Sequence, residues 1–240
     1  MPDAADTKQS ASGAPAEKGL PEGDVRPLSS VRRVVARRMS EAWATIPAVT
    51  LHRSVPLAPL LRARERFIGE EGRHPALDAL LAILVARTLG EFELLNGSYL
   101  VGQRAVLVHP RRNIGVAVDT PYGLTAVVLR EADRHSPDEA DSQLVEMVQR
   151  ARTQRSRRAD LAEATFTITN LGSLDVEAFT PIITPPQAAV LGVGAARPSP
   201  PNERPATLSL TFDHRVVDGA YAARFLARLA QRLTEDELWT

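Results

Sequence analysis

The chain has 240 residues, of which 44% are hydrophobic and 24% charged, enough apolar material to bury a substantial core in one domain. Its 29 basic and 29 acidic side chains give a formal net charge of +0, so no overall field attracts nucleic acid or an anionic membrane. The sequence contains 0 cysteines, which excludes disulfides, thiolate metal sites and an acyl-cysteine intermediate.

Residues 1–24 are predicted to form a disordered tail. They are rich in Ala, Ser, Gly, Pro and charge and contain almost no large apolar side chains, so they cannot offset the entropy of ordering. They also lack the apolar core of a signal peptide, and no later apolar run approaches the roughly 18 residues of a membrane-spanning helix. We therefore expect a cytoplasmic protein whose folded domain covers residues 25–240.

The domain is predicted to begin with a helix capped by Ser29 or Ser30, which ends at Ile46-Pro47. A strand through Val49 and Leu51 follows. Two more helices are predicted, a charged surface helix over Leu57–Glu71 and a buried one over Pro75–Phe92, which is apolar on nearly every side.

Strand patterns dominate the next part of the chain. Tyr99–Val108 predicts a hairpin that turns at Gly102-Gln103. Further elements are strands over Asn113–Asp119 and Leu124–Arg130, a helix over Ser136–Gln154, and strands over Ala164–Thr169 and Ala188–Gly194. Because strands occur in runs rather than in strict alternation with helices, we predict an α/β (α+β) sandwich with a mixed or antiparallel sheet, not a doubly wound fold.

A short turn near the C-terminus carries the strongest candidate for catalysis. Leu208, Leu210 and Phe212 alternate with polar residues, as in a half-buried strand, and a helix with an apolar stripe starts after Asp218, a good N-cap. His214 lies between the two elements, where an imidazole can act as a general base. A single histidine near a strand end is also often structural, and position alone leaves both interpretations open.

Other motifs do not predict a second site. Gly192-Val193-Gly194 lacks the third glycine of a dinucleotide fingerprint. His52, His74, His109 and His135 have no metal-ligand spacing, so no metal site is predicted. Two arginine clusters lack interleaved aromatic residues and are interpreted as solvated or subunit-contacting faces rather than RNA-binding ones; they comprise Arg32, Arg33, Arg37 and Arg38, and Arg155, Arg157 and Arg158.

Several motifs together resemble one family, the catalytic domain of the dihydrolipoamide acyltransferase component of 2-oxoacid dehydrogenase complexes. They are Arg33–Met39, Asn113–Thr120, Phe166–Gly172, Phe179–Ile183, Pro185–Gly192 and Asp213–Gly219. The resemblance implies a two-layer α/β sandwich with the fold of chloramphenicol acetyltransferase and with helices on one face of the sheet. It also implies a homotrimer with active sites between subunits, and acetyl-CoA or a similar acyl-CoA as donor, without a metal.

The resemblance also implies roles for three residues. His214 would be the general base that deprotonates the acceptor, which then attacks the thioester directly, without an acyl-enzyme. Thr169 would donate a hydrogen bond to the tetrahedral oxyanion, usually from the neighbouring chain. Asp218 would support the turn structurally.

The sequence also departs from the family at several positions. Ala48 and Val127 replace a common histidine and proline, Glu163-Ala164 replaces Gly-Gly, and Ala195–Ala206 is short. Only the predicted tail of residues 1–24 precedes the domain here, so we expect no covalently bound lipoyl group in this chain. Leu238-Trp239 is interpreted either as a contact with another subunit or as an exposed end.

Three functions are therefore considered. The leading hypothesis is a stand-alone O-acyltransferase that acetylates a hydroxyl of a small molecule. Its layout is similar to the O-acetyltransferases of spirotetronate-type polyketide biosynthesis, which belong to secondary metabolism and antibiotic biosynthesis and act on a tetronate. The alternative is a dihydrolipoamide acyltransferase core that works with a lipoyl domain in trans. The third is a non-catalytic trimeric scaffold.

Overall fold

The computed structural model describes residues 23–68, 72, 74–198 and 204–235. Its helices are α1 (Ser30–Thr45), α2 (Ala58–Arg66), α3 (Leu77–Leu89), α4 (Pro137–Arg152), α5 (Arg158–Leu161) and α6 (Gly219–Arg232). Its strands are β1 (Ala48–Pro56), β2 (Gly97–Leu100), β3 (Ala105–Val108), β4 (Ile114–Val118), β5 (Thr125–Leu129), β6 (Phe166–Asn170), β7 (Ala189–Val193) and β8 (Pro205–Asp213). Short 3-10 turns lie at Glu93–Asn96, Ala132–Arg134 and Gly172–Leu174.

A mixed sheet forms the centre of the described part of the chain, with the strand order β1-β8-β7-β6-β4-β5. Strand β6 runs parallel to both β4 and β7, whereas the other neighbours are antiparallel. Strands β2 and β3 pair separately as a hairpin. The predicted mixed sheet of an α/β sandwich is therefore confirmed.

Helices cover one face of this sheet. Helix α3 packs on β4 and β6, α4 on β5, and α6 on β1 and β8. Alternate strand residues point into this layer and join one continuous hydrophobic core; they include Ile114, Val116, Phe166, Ile168, Leu191, Leu208, Leu210 and Phe212. Helix α3 is buried on nearly every side, as its apolar sequence predicts.

The other face of the sheet, called here the back face, carries small and polar side chains. Thr50 and Thr211 pair through their hydroxyls at 2.8 Å, and Thr167 Oγ1 donates to Gln187 Oε1 at 2.8 Å. The segment 176–187 covers part of this face. It fits closely because Gly192 has no side chain, and a Cβ there would lie 2.9 Å from the ring of Phe179.

The predicted elements are confirmed with two differences. Helix α2 ends at Arg66 rather than at Glu71, and it is not a surface helix, because Leu60 and Ala63 are buried. In the sequence, its many charged residues obscure a short apolar stripe, which packs against the core. Residues 1–22, with the predicted tail, and residues 236–240, with Leu238-Trp239, lie outside the described residues, so those predictions stay untested.

Helix α1 makes little contact with the rest of the described chain. Ser29 caps it by accepting a hydrogen bond from Arg32 N, but only Ala42 is buried among its residues. Val31 and Trp43 are exposed, Trp43 to 73%. Among the described residues, no helix is both long and apolar enough to cross a membrane.

Candidate active site

His214 lies on a tight turn between β8 and α6. The turn is fixed by its backbone: His214 N donates to Pro47 O at 3.1 Å, and Val216 N donates to Asp213 O at 2.9 Å. Asp218 caps α6, as predicted, because its carboxylate accepts a hydrogen bond from Tyr221 N at 2.7 Å. The His214 side chain itself is exposed, and its ring nitrogens have no hydrogen-bond partner among the described residues. A rigid backbone therefore presents an available imidazole.

The residues on either side of His214 are bound to each other. Arg215 donates to both carboxylate oxygens of Asp213, from Nε at 2.9 Å and from Nη2 at 2.6 Å. Asp213 is only 2% exposed, and its carboxylate raises the pKa of Arg215 above the ordinary value. The guanidinium also lies 4.3 Å from the ring centroid of Tyr99, on strand β2. The sequence analysis assigned no role to the ion pair of Asp213 and Arg215, although two oppositely charged residues that flank the candidate histidine could have indicated it.

Thr169 lies on strand β6 with its side chain on the back face. Its neighbour Ile168 belongs to the core, and side chains alternate along a strand. Thr169 is half-buried, and its hydroxyl makes no hydrogen bond with any described residue. A free hydroxyl of this kind can donate to a ligand.

His214 and Thr169 do not meet within one chain. Thr169 pairs with Gly192 on β7, and Gly192 pairs with Ser209 on β8, five residues before His214. Two strand spacings of about 4.8 Å and five rises of about 3.3 Å place the two Cα atoms about 19 Å apart. Their side chains cannot span that distance, so a site that uses both residues takes them from two copies of the chain.

A cavity of about 300 Å³ opens on the back face next to the His214 turn. It adjoins the turn through Pro47 and Thr211, and its walls include Trp43, Ile46 and Ile182. No charged side chain lines it among the described residues. Such a cavity suits a slender, uncharged ligand rather than phosphate groups.

The other histidines make structural hydrogen bonds. His52 Nδ1 lies 2.9 Å from Ser209 Oγ, and His109 Nε2 lies 2.8 Å from Ser98 Oγ. Burial lowers the pKa of His109. His135 Nε2 lies 2.9 Å from the carbonyl oxygen of Arg130. Within the described ranges, no group of His, Asp and Glu side chains is arranged to hold a metal ion.

One further polar contact lies beside Thr169. Asn170 Nδ2 donates to Asp78 Oδ1 at 2.7 Å, and Asp78 belongs to the first turn of α3. Burial raises the pKa of Asp78, whereas the hydrogen bond from Asn170 lowers it, and burial is the larger effect. Sequence reasoning missed Asp78, since an aspartate in a first helical turn is ordinarily explained by the helix dipole.

Comparisons with known proteins give one consistent family. Residues 21–240 match the family model described as 2-oxoacid dehydrogenases acyltransferase (catalytic domain). The dihydrolipoyllysine-residue acetyltransferase component of the Bacillus subtilis acetoin cleaving system is 32% identical over 220 residues, covering 87% of this chain and 55% of that protein. The corresponding component of the Buchnera aphidicola (Acyrthosiphon pisum) pyruvate dehydrogenase complex is 29% identical over 221 residues, covering 87% of this chain and 56% of that protein. The chain thus spans about half the length of these curated relatives.

Solved structures agree with this assignment. A crystal structure of Azotobacter vinelandii dihydrolipoamide acetyltransferase superposes with a TM-score of 0.83 at 32% identity, covering 89% of this chain and 92% of that one. The work that reports it investigates a serine, a histidine and an asparagine in that enzyme's catalytic mechanism. A chloramphenicol acetyltransferase shares the fold, with a TM-score of 0.52 at 10% identity, covering 82% of this chain and 94% of that one.

Proposed function

Because this chain belongs to the family of 2-oxoacid dehydrogenase acyltransferase catalytic domains, we propose that it transfers an acyl group between CoA and the thiol of a dihydrolipoyl group. The exposed imidazole of His214, on its rigid turn, is the observation that carries this proposal. In the Azotobacter vinelandii enzyme the investigated histidine and asparagine stand four positions apart, as His214 and Asp218 do here.

The reaction proceeds by direct transfer between the two thiols. His214 takes the proton from the acceptor thiol, whose sulfur attacks the thioester carbonyl of acyl-CoA. The resulting oxyanion accepts a hydrogen bond from the hydroxyl of Thr169. When the tetrahedral intermediate collapses, the bond to the CoA sulfur breaks and the imidazolium returns the proton to that sulfur. The products are the acylated acceptor and free CoA, and Asp218 maintains the turn without exchanging protons.

The active form is a homotrimer in which His214 of one copy faces Thr169 of the next. The separation of about 19 Å within one chain supports this arrangement, since a closed ring can bring the end of β8 in one copy close to the end of β6 in the next. The exposed apolar residues Val31 and Trp43 on α1 also support an association that covers them.

We place the dihydrolipoyl thiol ahead of the hydroxyl acceptor predicted from the sequence. The curated relatives described above are named dihydrolipoyllysine-residue acetyltransferases, and neither name mentions a hydroxyl or a tetronate. The uncharged cavity of about 300 Å³ fits a slender aliphatic arm and lies at the small end of ligand pockets. A thiol also demands less of the base, because it is more acidic than an alcohol. The similarity to spirotetronate enzymes and the cytoplasmic location stay predictions.

The test is acyl transfer from acetyl-CoA to dihydrolipoamide, compared with transfer to a small hydroxymethyl compound. We expect turnover on the thiol and a loss of about 10²–10⁴-fold in kcat for His214→Ala. The matched control is His52→Ala, an exposed histidine bonded to Ser209 on the same sheet, which should keep the wild-type rate. Transfer to the alcohol alone would favour the O-acyltransferase hypothesis. Full activity in a correctly assembled His214→Ala protein would contradict catalysis by this residue, and no activity in the wild type would favour the scaffold.

A further inference from the structure

The carboxyl group of Asp78 has no part in the reaction as derived above, yet it contacts the strand that carries Thr169. It lies half-buried in the first turn of α3 and accepts a hydrogen bond of 2.7 Å from Asn170 Nδ2. Ninety-two positions separate the two residues in sequence, so the contact joins the helix layer to the end of the sheet. A carboxylate withdrawn from water is costly unless a hydrogen bond satisfies it.

Asn170 also makes a hydrogen bond to the chain that follows it. Its Oδ1 accepts a hydrogen bond from Gly172 N at 2.9 Å, which closes the chain turn immediately after Thr169. The turn is tightly packed, because a Cβ on Gly172 would lie 2.9 Å from Gly194 O and 3.1 Å from Asn170 Oδ1. One amide side chain is therefore held by Asp78 on one side and holds the turn on the other.

Thr169 and Asn170 point to opposite faces of β6. Asn170 follows Phe166 and Ile168 on the face that meets the helices, whereas Thr169 faces the back. The planar peptide between them couples the two positions, so fixing Asn170 limits how far the backbone that carries the Thr169 hydroxyl can move. An oxyanion donor needs such restraint, since its effect depends on placement to a fraction of an ångström.

We propose that Asp78 is a positioning residue that holds the Thr169 hydroxyl in place through Asn170. This inference rests on the proposed function, because it assumes that Thr169 donates to the oxyanion. Asp78 itself touches neither substrate. Its contribution is therefore expected in kcat rather than in the binding of either substrate.

The experiment compares Asp78→Ala with Asp78→Asn in the assembled protein, using acetyl-CoA and dihydrolipoamide. Asp78→Ala removes the acceptor for Asn170 and should lower kcat about tenfold, with both KM values within about twofold of wild type. Asp78→Asn keeps an acceptor oxygen and should restore kcat to within about threefold of wild type. If Asp78→Ala does not fold, Asn170→Ala, which breaks the same link from the other side, replaces it.

A double-mutant cycle separates positioning from a general structural effect. In the Thr169→Ala background, Asp78→Ala should lower kcat by less than about twofold, because the group that it positions is gone. The matched control is Asp141→Ala: Asp141 is a buried carboxylate whose Oδ1 accepts a hydrogen bond of 2.7 Å from Ala76 N, just before the same helix. That variant should lower the melting temperature and leave kcat unchanged.

Two results would overturn the inference. One is a wild-type kcat in folded Asp78→Ala, and the other is an equal loss in both backgrounds. Neither affects the proposed function, which fails instead if the wild type does not transfer acyl groups or if His214→Ala is fully active. The two failures are thus distinguishable in one set of assays.

Discussion

His214 owes its placement to its own backbone N–H and to its neighbours, not to hydrogen bonds of its ring. Its backbone N–H is bound to Pro47, while Asp213 and Arg215 are bound to each other across it. The imidazole consequently stays available to a ligand on a turn that cannot move far. Thr169 is similar. Its hydroxyl makes no hydrogen bond within the described chain, whereas Asn170 next to it makes two.

The pKa of Asp78 gives a prediction about pH and stability. Burial raises this pKa, so the folded protein binds the proton more tightly than the unfolded chain does. The free energy of unfolding therefore decreases as pH rises through the interval between the unfolded and the folded pKa, and the whole penalty is present at neutral pH. Asp78→Asn removes the charge, so at neutral pH it should be more stable than the wild type.

Chemical denaturation of both proteins, in steps from neutral pH down to about pH 4, measures this difference. The advantage of Asp78→Asn should shrink as the wild-type carboxyl becomes protonated. An advantage that does not change over this range would contradict the assigned ionisation. The matched control is Glu65→Gln, which removes the charge of an exposed carboxylate on α2.

At the scale of elements, the packing of segment 176–187 on the back face depends on two glycines, one in β7 and one just after it. Gly192 accommodates the ring of Phe179, and Gly194 lies against the carbonyl oxygen of Glu177. Backbone and ring therefore approach the sheet where no side chain intervenes. The segment held in this way supplies Ile182 to the wall of the cavity. A glycine pair that resembled part of a nucleotide motif in the sequence thus has a packing role.

Gly194→Ala should destabilise the protein, because the added Cβ would overlap with the Glu177 backbone, which cannot move as a flexible side chain would. Overpacking of this kind costs about 1–3 kcal/mol. The midpoint of urea denaturation measures the loss. Gly102→Ala is the matched control, since a Cβ there meets open space and should change stability by less than about 0.5 kcal/mol. Equal midpoints for the two variants would show that segment 176–187 shifts freely.

At the scale of the whole molecule, the two candidate residues lie towards opposite ends of the strands of the sheet. The sheet ends that carry His214 and Thr169 lie about 19 Å apart within one chain, with β7 between their strands. One copy is therefore chemically incomplete for the proposed reaction. For the proposed reaction, activity would be a property of the assembly and would depend on protein concentration and on subunit contacts.

Subunit complementation tests this division. Thr169→Ala and His214→Ala are each expected to be nearly inactive, but in randomly mixed rings about a quarter of the sites receive an intact histidine and an intact threonine from different copies. Acyl transfer should reappear after subunit exchange and be absent before it. Mixed trimers, confirmed by mass spectrometry, that remain inactive would show that both residues act within one chain.

The sequence by itself determined the elements and both candidate residues. Hydrophobic alternation predicted β8, a helical stripe and an N-cap predicted α6, and the motif resemblance selected His214 and Thr169. These signals are readable because they depend on residues close together in the chain. The error at α2 has a local cause as well, since dense charge concealed a short buried stripe.

Only the tertiary structure decided which distant residues meet. Alternation tells which face of a strand is buried but not which strand lies beside it. The order β8-β7-β6 separates His214 from Thr169, and the packing of α3 on the sheet brings Asp78 to Asn170. The cavity likewise joins α1, β1, β8 and the segment near Ile182. Such contacts arise from the packing of layers, and no local pattern in the sequence records them.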